Sequence, residues 1–273
     1  QQEGFSGSDS VRVISASPCL SVRSLSRVIS NLRDVLGSVE NARKLFSKSN
    51  KFTSSSSVEN MISNVALLKT DYGIDINVIR KSILLQHTPF LRNPEFFQNA
   101  VVRVEEELGI PRNSKKFLFG IHLLCCLSKK NIESKCQVFK SFGWMEDQVY
   151  ELMRRCPFIF VCSTENMRKK LGFLMNELGY DPGFLIARYA LLTYSLEKRL
   201  LPRHRVFLVL KEKGLLNHSF YTAVLKGEAN FLKTLVEPFK DVEPGLHELY
   251  ENSKVCPDVE PLSPVMPSLA APK

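Results

Sequence analysis

Apolar residues recur along this chain with the period of the α-helix. Between Met145 and Cys156, Val149, Leu152, Met153 and Cys156 stand at i, i+3, i+4 and i+7, which makes one face of that segment apolar. Pro157 cannot continue the helix, because it lacks an N–H and disfavours helical geometry at Cys156. A short apolar stretch, Phe158 to Cys162, leads to Ser163-Thr164-Glu165, a helix cap with an acid in the first turn. The second helix is marked by Met167, Leu171, Leu174, Met175 and Leu178. Gly179 supplies the left-handed residue that ends it, and Asp181-Pro182 opens the following helix as cap and first position. One unit therefore reads helix, Pro-marked bend, second helix, glycine stop. No period-2 alternation of useful length competes, so the expected fold class is all-α.

The unit recurs. Gly37, Gly73, Gly109, Gly143, Gly179 and Gly214 are separated by 36, 36, 34, 36 and 35 residues. Five positions before each glycine stands Leu32, Leu68, Val104, Val138, Leu174 or Val209, aliphatic every time. The same grammar runs from Pro89 to Gly109, with Pro94 near the start of the second helix, and Pro18 to Gly37 is a weaker copy. Neither helix of a pair can bury its apolar face alone, so repeats of about 35 residues are expected to stack as a solenoid of helical hairpins, curved to the right or to the left. The repeats are assigned to residues 11–236, weak before 74 and clearest over 139–216. Residues 1–10 read as a disordered N-terminus and Lys48 to Ser57, rich in Ser, as a loop or a poorly formed turn. Residues 237–273 read as an acidic, Pro-rich tail, disordered after Asn252; seven acids and two lysines lie between Glu237 and Glu260.

Composition narrows the class. At 44% hydrophobic and 24% charged, the chain is ordinary globular material. No run reaches the roughly 18 apolar residues of a membrane span, so no membrane role is expected. Seven cysteines without a C-x-x-C and five scattered histidines give neither a zinc site nor a disulfide framework, so no metal and no cofactor are expected. His122, His204 and His218 are isolated and read as structural. With no Gly-rich phosphate loop, no H-E-x-x-H and no nucleophile elbow, the chain is not expected to be an enzyme. It begins at Gln1 without a Met and reads as a fragment or processed product, in which a targeting peptide is not visible.

Charge supplies the candidate chemistry. The net charge is +9, which favours polyanionic partners through counterion release. One basic cluster holds Arg112, Lys115, Lys116, Lys129, Lys130, Lys135 and Lys140 against Glu133; another holds Arg188, Lys198, Arg199, Arg203, Arg205, Lys211 and Lys213 against Glu197 and Glu212. The planar fork of arginine suits phosphate, and the Pro202 bend is expected to hold Arg203 and Arg205 at a helix start with free N–H groups. The candidate nucleic-acid-binding residues are Arg188, Lys198, Arg199, Arg203, Arg205, Lys129, Lys130 and Lys135, with Tyr189 and Tyr194 as base-stacking candidates. The competing reading is a helical-repeat scaffold for an acidic protein partner, with an apolar groove rimmed by charge.

Tetratricopeptide repeats need a Trp, a Leu-Gly and a Tyr at fixed offsets that are missing here. Pentatricopeptide repeats end in a turn like Gly179-Tyr180-Asp181-Pro182 but carry no mid-repeat Pro followed by apolar residues. The stretch Phe142-Gly143-Trp144-Met145-Glu146-Asp147-Gln148-Val149, then Arg155-Cys156-Pro157-Phe158-Ile159, then Leu178-Gly179 and Tyr194-Ser195-Leu196-Glu197-Lys198-Arg199-Leu200-Leu201-Pro202-Arg203 resembles the plant branch of the mitochondrial transcription termination factor (mTERF) family. The mid-repeat Pro is replaced within Tyr189-Ala190-Leu191-Leu192 and at Leu123-Leu124-Cys125. The resemblance implies a half-ring of helical hairpins with a positive groove, acting as a monomer in a mitochondrion or chloroplast. It implies binding to double-stranded DNA or organellar RNA in transcription termination or intron splicing, beside organellar transcription or splicing proteins.

Overall fold

The helix ends fall where the glycines stand. In the structure, a computed structural model that describes residues 22–48, 55–216 and 218–255, Gly37, Gly73, Gly109, Gly143, Gly179 and Gly214 all have φ between 62° and 82°. No other described residue has a positive φ. The aliphatic partner of the register also has a use. Ile74, Ile110 and Tyr180, each following its glycine, donate their N–H to the carbonyls of Leu68, Val104 and Leu174 at 3.0–3.1 Å. The carbonyl that the ended helix leaves open is thereby satisfied while its side chain is buried. At Gly143 an added Cβ would meet nothing within 4 Å, so the backbone angle alone asks for glycine there.

The described residues are helical and contain no strand. In chain order the α-helices are α1 (Val22–Leu36), α2 (Val39–Lys48), α3 (Ser55–Thr70), α4 (Ile76–Leu85), α5 (Pro94–Glu106), α6 (Phe117–Cys126), α7 (Lys129–Ser141), α8 (Glu146–Arg155), α9 (Thr164–Leu171), α10 (Pro182–Ala187), α11 (Ala190–Thr193), α12 (Leu201–Glu212), α13 (Phe220–Leu225), α14 (Glu228–Leu235) and α15 (Leu246–Val255). The mid-repeat bends are 3-10 turns at Thr88–Leu91 and Pro157–Val161, both opened by the expected prolines. Where proline is missing, α6 ends in extended Leu127, and α10 breaks at Arg188 before the short α11. The caps follow the sequence: Ser163 accepts from the N–H of Asn166, Asp181 from that of Phe184, and Asn93 from those of Glu95 and Phe96.

The described residues form two compact units, one within residues 1–134 and 153–161 and one within residues 135–152 and 162–273. In the first, α5 lies along α6, and α6 touches both 3-10 bends. The closest point is Gly120, where an added Cβ would stand 2.8 Å from Val104 Cγ1. A β-branched valine has little rotamer freedom on a helix. Gly120→Ala is therefore expected to destabilise by about 1–3 kcal/mol through overpacking, although alanine is the better helix former by about 1 kcal/mol. A thermal melt at or above that of the native chain would refute the close approach.

In the second unit, α12 is covered by α13 and α15, around Val206, Leu210, Phe231, Leu246 and Tyr250. This corrects the expected tail. Its first part is folded, because Leu246, Leu249 and Tyr250 make an i, i+3, i+4 face and Tyr250 is fully buried. Ser55 to Ser57, expected in a loop, begin α3 instead. Residues 1–10, expected to be disordered, Pro18, and the Pro-rich stretch 256–273 lie outside the described residues. None of the described helices is long and apolar enough to cross a membrane.

Candidate nucleic-acid interface

The expected basic residues separate into those that face water and those that the fold turns inward. Lys129 and Lys130, in the first turn of α7, are exposed, and so is Lys198. Arg188 is half-buried, with its guanidinium 4.2 Å from the ring centroid of Phe184 and 5.5 Å from that of Tyr221. Tyr180 stacks on Phe184 at 4.2 Å, so the three side chains at i, i+4 and i+8 form one column that stiffens Arg188. A guanidinium held by its face against rings still offers N–H groups at its edge, the geometry a phosphate needs.

Arg203 was expected to face phosphate and does not. It is 1% exposed, and its Nη1 donates to the carbonyls of Ala223, Val224 and Lys226 at 3.2, 2.9 and 2.5 Å. Its Nη2 pairs with Glu228 at 3.0 Å. Its Nε has no hydrogen-bond partner among the described residues, and the guanidinium lies 4.4 Å from the centroid of the Phe231 ring. The expected open helix start is also missing. A π-turn at Leu196–Leu200 runs straight into α12, with the N–H of Leu200 donating to the Ser195 carbonyl at 3.1 Å. These wider bonds feed Pro202, which has no N–H to give, into a continuous helix.

Arg199 is turned inward too. It donates to the carbonyls of Val224 and Lys226 at 2.9 and 2.8 Å and lies 4.0 Å above the Tyr194 ring. Burial and the adjacent Arg203 lower its pKa from the ordinary arginine value. Lys135, 7% exposed, donates to the Cys162 carbonyl. Lys170, which charge counting did not single out, is 5% exposed and donates to the Leu192 carbonyl at 2.8 Å. Burial lowers the pKa of both lysines. Arg205 is half-buried, with Nη1 on Ser253 Oγ at 2.9 Å.

The remaining cluster charge is partly answered at the surface. Arg112 forks onto Glu105 at 2.9 and 2.7 Å, Lys140 meets Glu146 at 3.0 Å, and Lys213 meets Glu243. Such exposed pairs stabilise little but reduce the local potential. Of the stacking candidates, Tyr189 is half-buried, and Tyr194 is half-buried with Arg199 over its ring. Trp144 is buried, its Nε1 directed at Met175 Sδ at 3.2 Å.

Cys125, Cys126, Cys136, Cys156 and Cys162 are thiols, not joined in disulfides, and burial, then the neighbouring Cys126, pushes the Cys125 thiol up to about 12. Among the described residues no group of three His, Cys, Asp or Glu is placed to hold a metal ion. A family model described as mTERF matches residues 1–232. No curated protein matches the chain.

Proposed function

The chain belongs to the mTERF family, and from that premise we propose that it is an organellar nucleic-acid-binding protein that regulates organelle gene expression. It acts in a mitochondrion or chloroplast, in transcription termination or intron splicing, by binding and not by catalysis. Its repeats stack as a solenoid, it works as a monomer, and organellar transcription or splicing proteins are its neighbours. The observation that carries this reading is the set of cations kept outward while others are turned in: Lys129, Lys130, Lys198 and the ring-clamped Arg188. Arg205 is a lesser candidate, since Ser253 already holds one of its amino groups.

Contact through phosphates is favoured over stacking on splayed bases. Stacking needs open aromatic faces, whereas the Tyr194 face carries Arg199 and Trp144 is buried. The target named is therefore duplex DNA ahead of single-stranded RNA.

Binding of a fluorescent duplex and of a single-stranded RNA, followed through a KCl series, tests the reading. Duplex affinity should fall with a log–log slope of about −0.9 for each phosphate contact. Replacing Lys129, Lys130, Arg188 and Lys198 together by alanine should flatten that slope by up to about 4, one per lost contact, with helicity unchanged. A slope that is shallow in the native chain sinks the electrostatic mechanism. A slope unaltered in the variant sinks the residue assignment.

A further inference from the structure

Five side-chain donors that reach into the following repeat share a pattern. Asn64 Nδ2 donates to the carbonyls of Phe90 and Arg92 at 3.0 and 2.8 Å, just ahead of Asn93, the cap of α5. Arg92 Nη2 donates to the Cys125 carbonyl at 2.9 Å, ahead of Ser128, whose Oγ accepts from the N–H of Asn131 in α7. Lys135 reaches the carbonyl of Cys162, ahead of the cap Ser163 of α9. Lys170 reaches that of Leu192, ahead of the cap Ser195. Arg203 reaches those of Val224 and Lys226, ahead of the cap Gly227 of α14. These acceptors lie one or three residues before the cap of a repeat's second helix, Arg203 reaching in addition the Ala223 carbonyl four residues before Gly227, and each donor comes from the preceding repeat.

The physics of the bend explains the pattern. Where the first helix of a repeat stops, its last carbonyls lose their i+4 amide partners, and burial makes them costly to leave open. No amide of the bend can turn back to all of them. A long side chain from the preceding repeat can. The acceptors of Arg92, Lys170 and Arg203 stand at the C-terminal ends of α6, α11 and α13, where carbonyls without amide partners favour a cation over a neutral donor.

We propose that these donors are positioning residues: they fix the entry to each second helix and thereby the stance of the exposed basic side chains in its first turns. The proposal rests on the nucleic-acid reading above. Arg92 acts on Lys129 and Lys130, and Lys135 on Arg168. Lys170 acts on Lys198 through a short path, because the Ser195 hydroxyl that follows its acceptor accepts a hydrogen bond from the N–H of Lys198 at 3.1 Å. Lys170 is too deeply buried to touch a nucleic acid itself.

A double-mutant cycle decides the matter. Duplex affinity and its salt slope are measured for the native chain, K170M, K198A, K170M/K198A and K170R, each checked for helicity at the binding temperature. K170M and K198A should each weaken binding by about three- to tenfold, and K170M should add nothing once Lys198 is gone. K170R, which keeps the cation and the reach, should restore binding. Equal losses from K170M in both backgrounds, or none in the folded variant, overturn the proposal. If K170M does not fold, the cycle of Arg92→Ala with K129A, at an exposed position of the other unit, settles it by the same criterion. A native chain with no salt-dependent binding removes the nucleic-acid reading and this proposal together. Native binding weakened by K198A but without coupling to Lys170 removes the proposal alone.

Discussion

Replacing Arg203 by methionine should cost about 3–5 kcal/mol of stability, although methionine nearly fills the same volume. The side chain is buried, and its fork is shared among three carbonyls and a carboxylate. The carbonyls of Val224 and Lys226 keep a bond from Arg199, so their loss is partial, whereas Ala223 loses its side-chain donor outright. Glu228 also accepts from Lys254 at 2.6 Å and from Tyr250 at 2.9 Å, so the substitution loosens the attachment of α15 as well. Burial by itself would raise the Glu228 carboxyl; the bonds from Lys254, Arg203 and Tyr250 overcome it and hold it at about 2. Arg203→Lys, a point charge in place of a fork, should recover part of the loss and not all of it. Urea unfolding followed by helicity measures both. A loss under about 1 kcal/mol for the methionine variant would mean that the network stabilises nothing.

The fate of Arg203 shows where sequence pattern informs and where it misleads. Glycine spacing reports backbone angle directly, because a positive φ is cheap for that residue and costly for the others. The six stops were therefore legible, together with the Pro157 bend and the caps at Ser163 and Asp181. Net charge carries no such geometric content. Lys135, Lys170 and Arg203 add to a basic total as fully as Lys198 does, yet three of these four are buried. The discriminating signal was present in the helical period. Lys170 has Met167 and Leu174 at i−3 and i+4, Lys135 has Ile132 and Phe139 at the same offsets, and Arg203 has Leu200 and Phe207. A cation in the middle of an apolar stripe points where the stripe points, and a long stem lets its head find an acceptor there. What no single-chain pattern reveals is the acceptor, since the open carbonyl belongs to a bend some 20–30 residues onward whose own sequence advertises only a proline or nothing.

Helix α15 is hard to read in the sequence for a related reason. Acids and prolines dominate the composition after residue 237, and Leu246, Leu249 and Tyr250 make only a short stripe among them. The stripe becomes a helix because α12 and α14 present a ready apolar surface, with Phe231 meeting Tyr250 at 5.0 Å. A helix of this length is marginal alone, and tertiary contact decides it.

A second large effect should appear on acidification, centred on His204. Its ring meets the edges of Phe173 and Phe220 with centroids 5.2 Å away in each case, and burial, then repulsion from Lys211, lowers its pKa to about 4. In the unfolded chain the same imidazole takes up its proton near pH 6.5. Between those two values the unfolded state binds more protons than the folded one, so stability must fall as the pH falls. The contribution is fully present above 6.5 and is lost progressively down to about 4, a total of about 3 kcal/mol at about 1.4 kcal/mol per pH unit. Glu228 acts in a lower window, losing its contribution from about 4.5 toward 2, so the two groups separate on the pH axis. His204→Leu keeps an apolar side chain between the two phenylalanines and removes the titration. Its stability, from urea unfolding at pH 7.0, 6.0, 5.0 and 4.5, should fall less over that range than that of the native chain, the loss common to both including that of His122, whose pKa burial also lowers; parallel losses in both would show that His204 is already charged inside the fold, against the burial that places it between two rings.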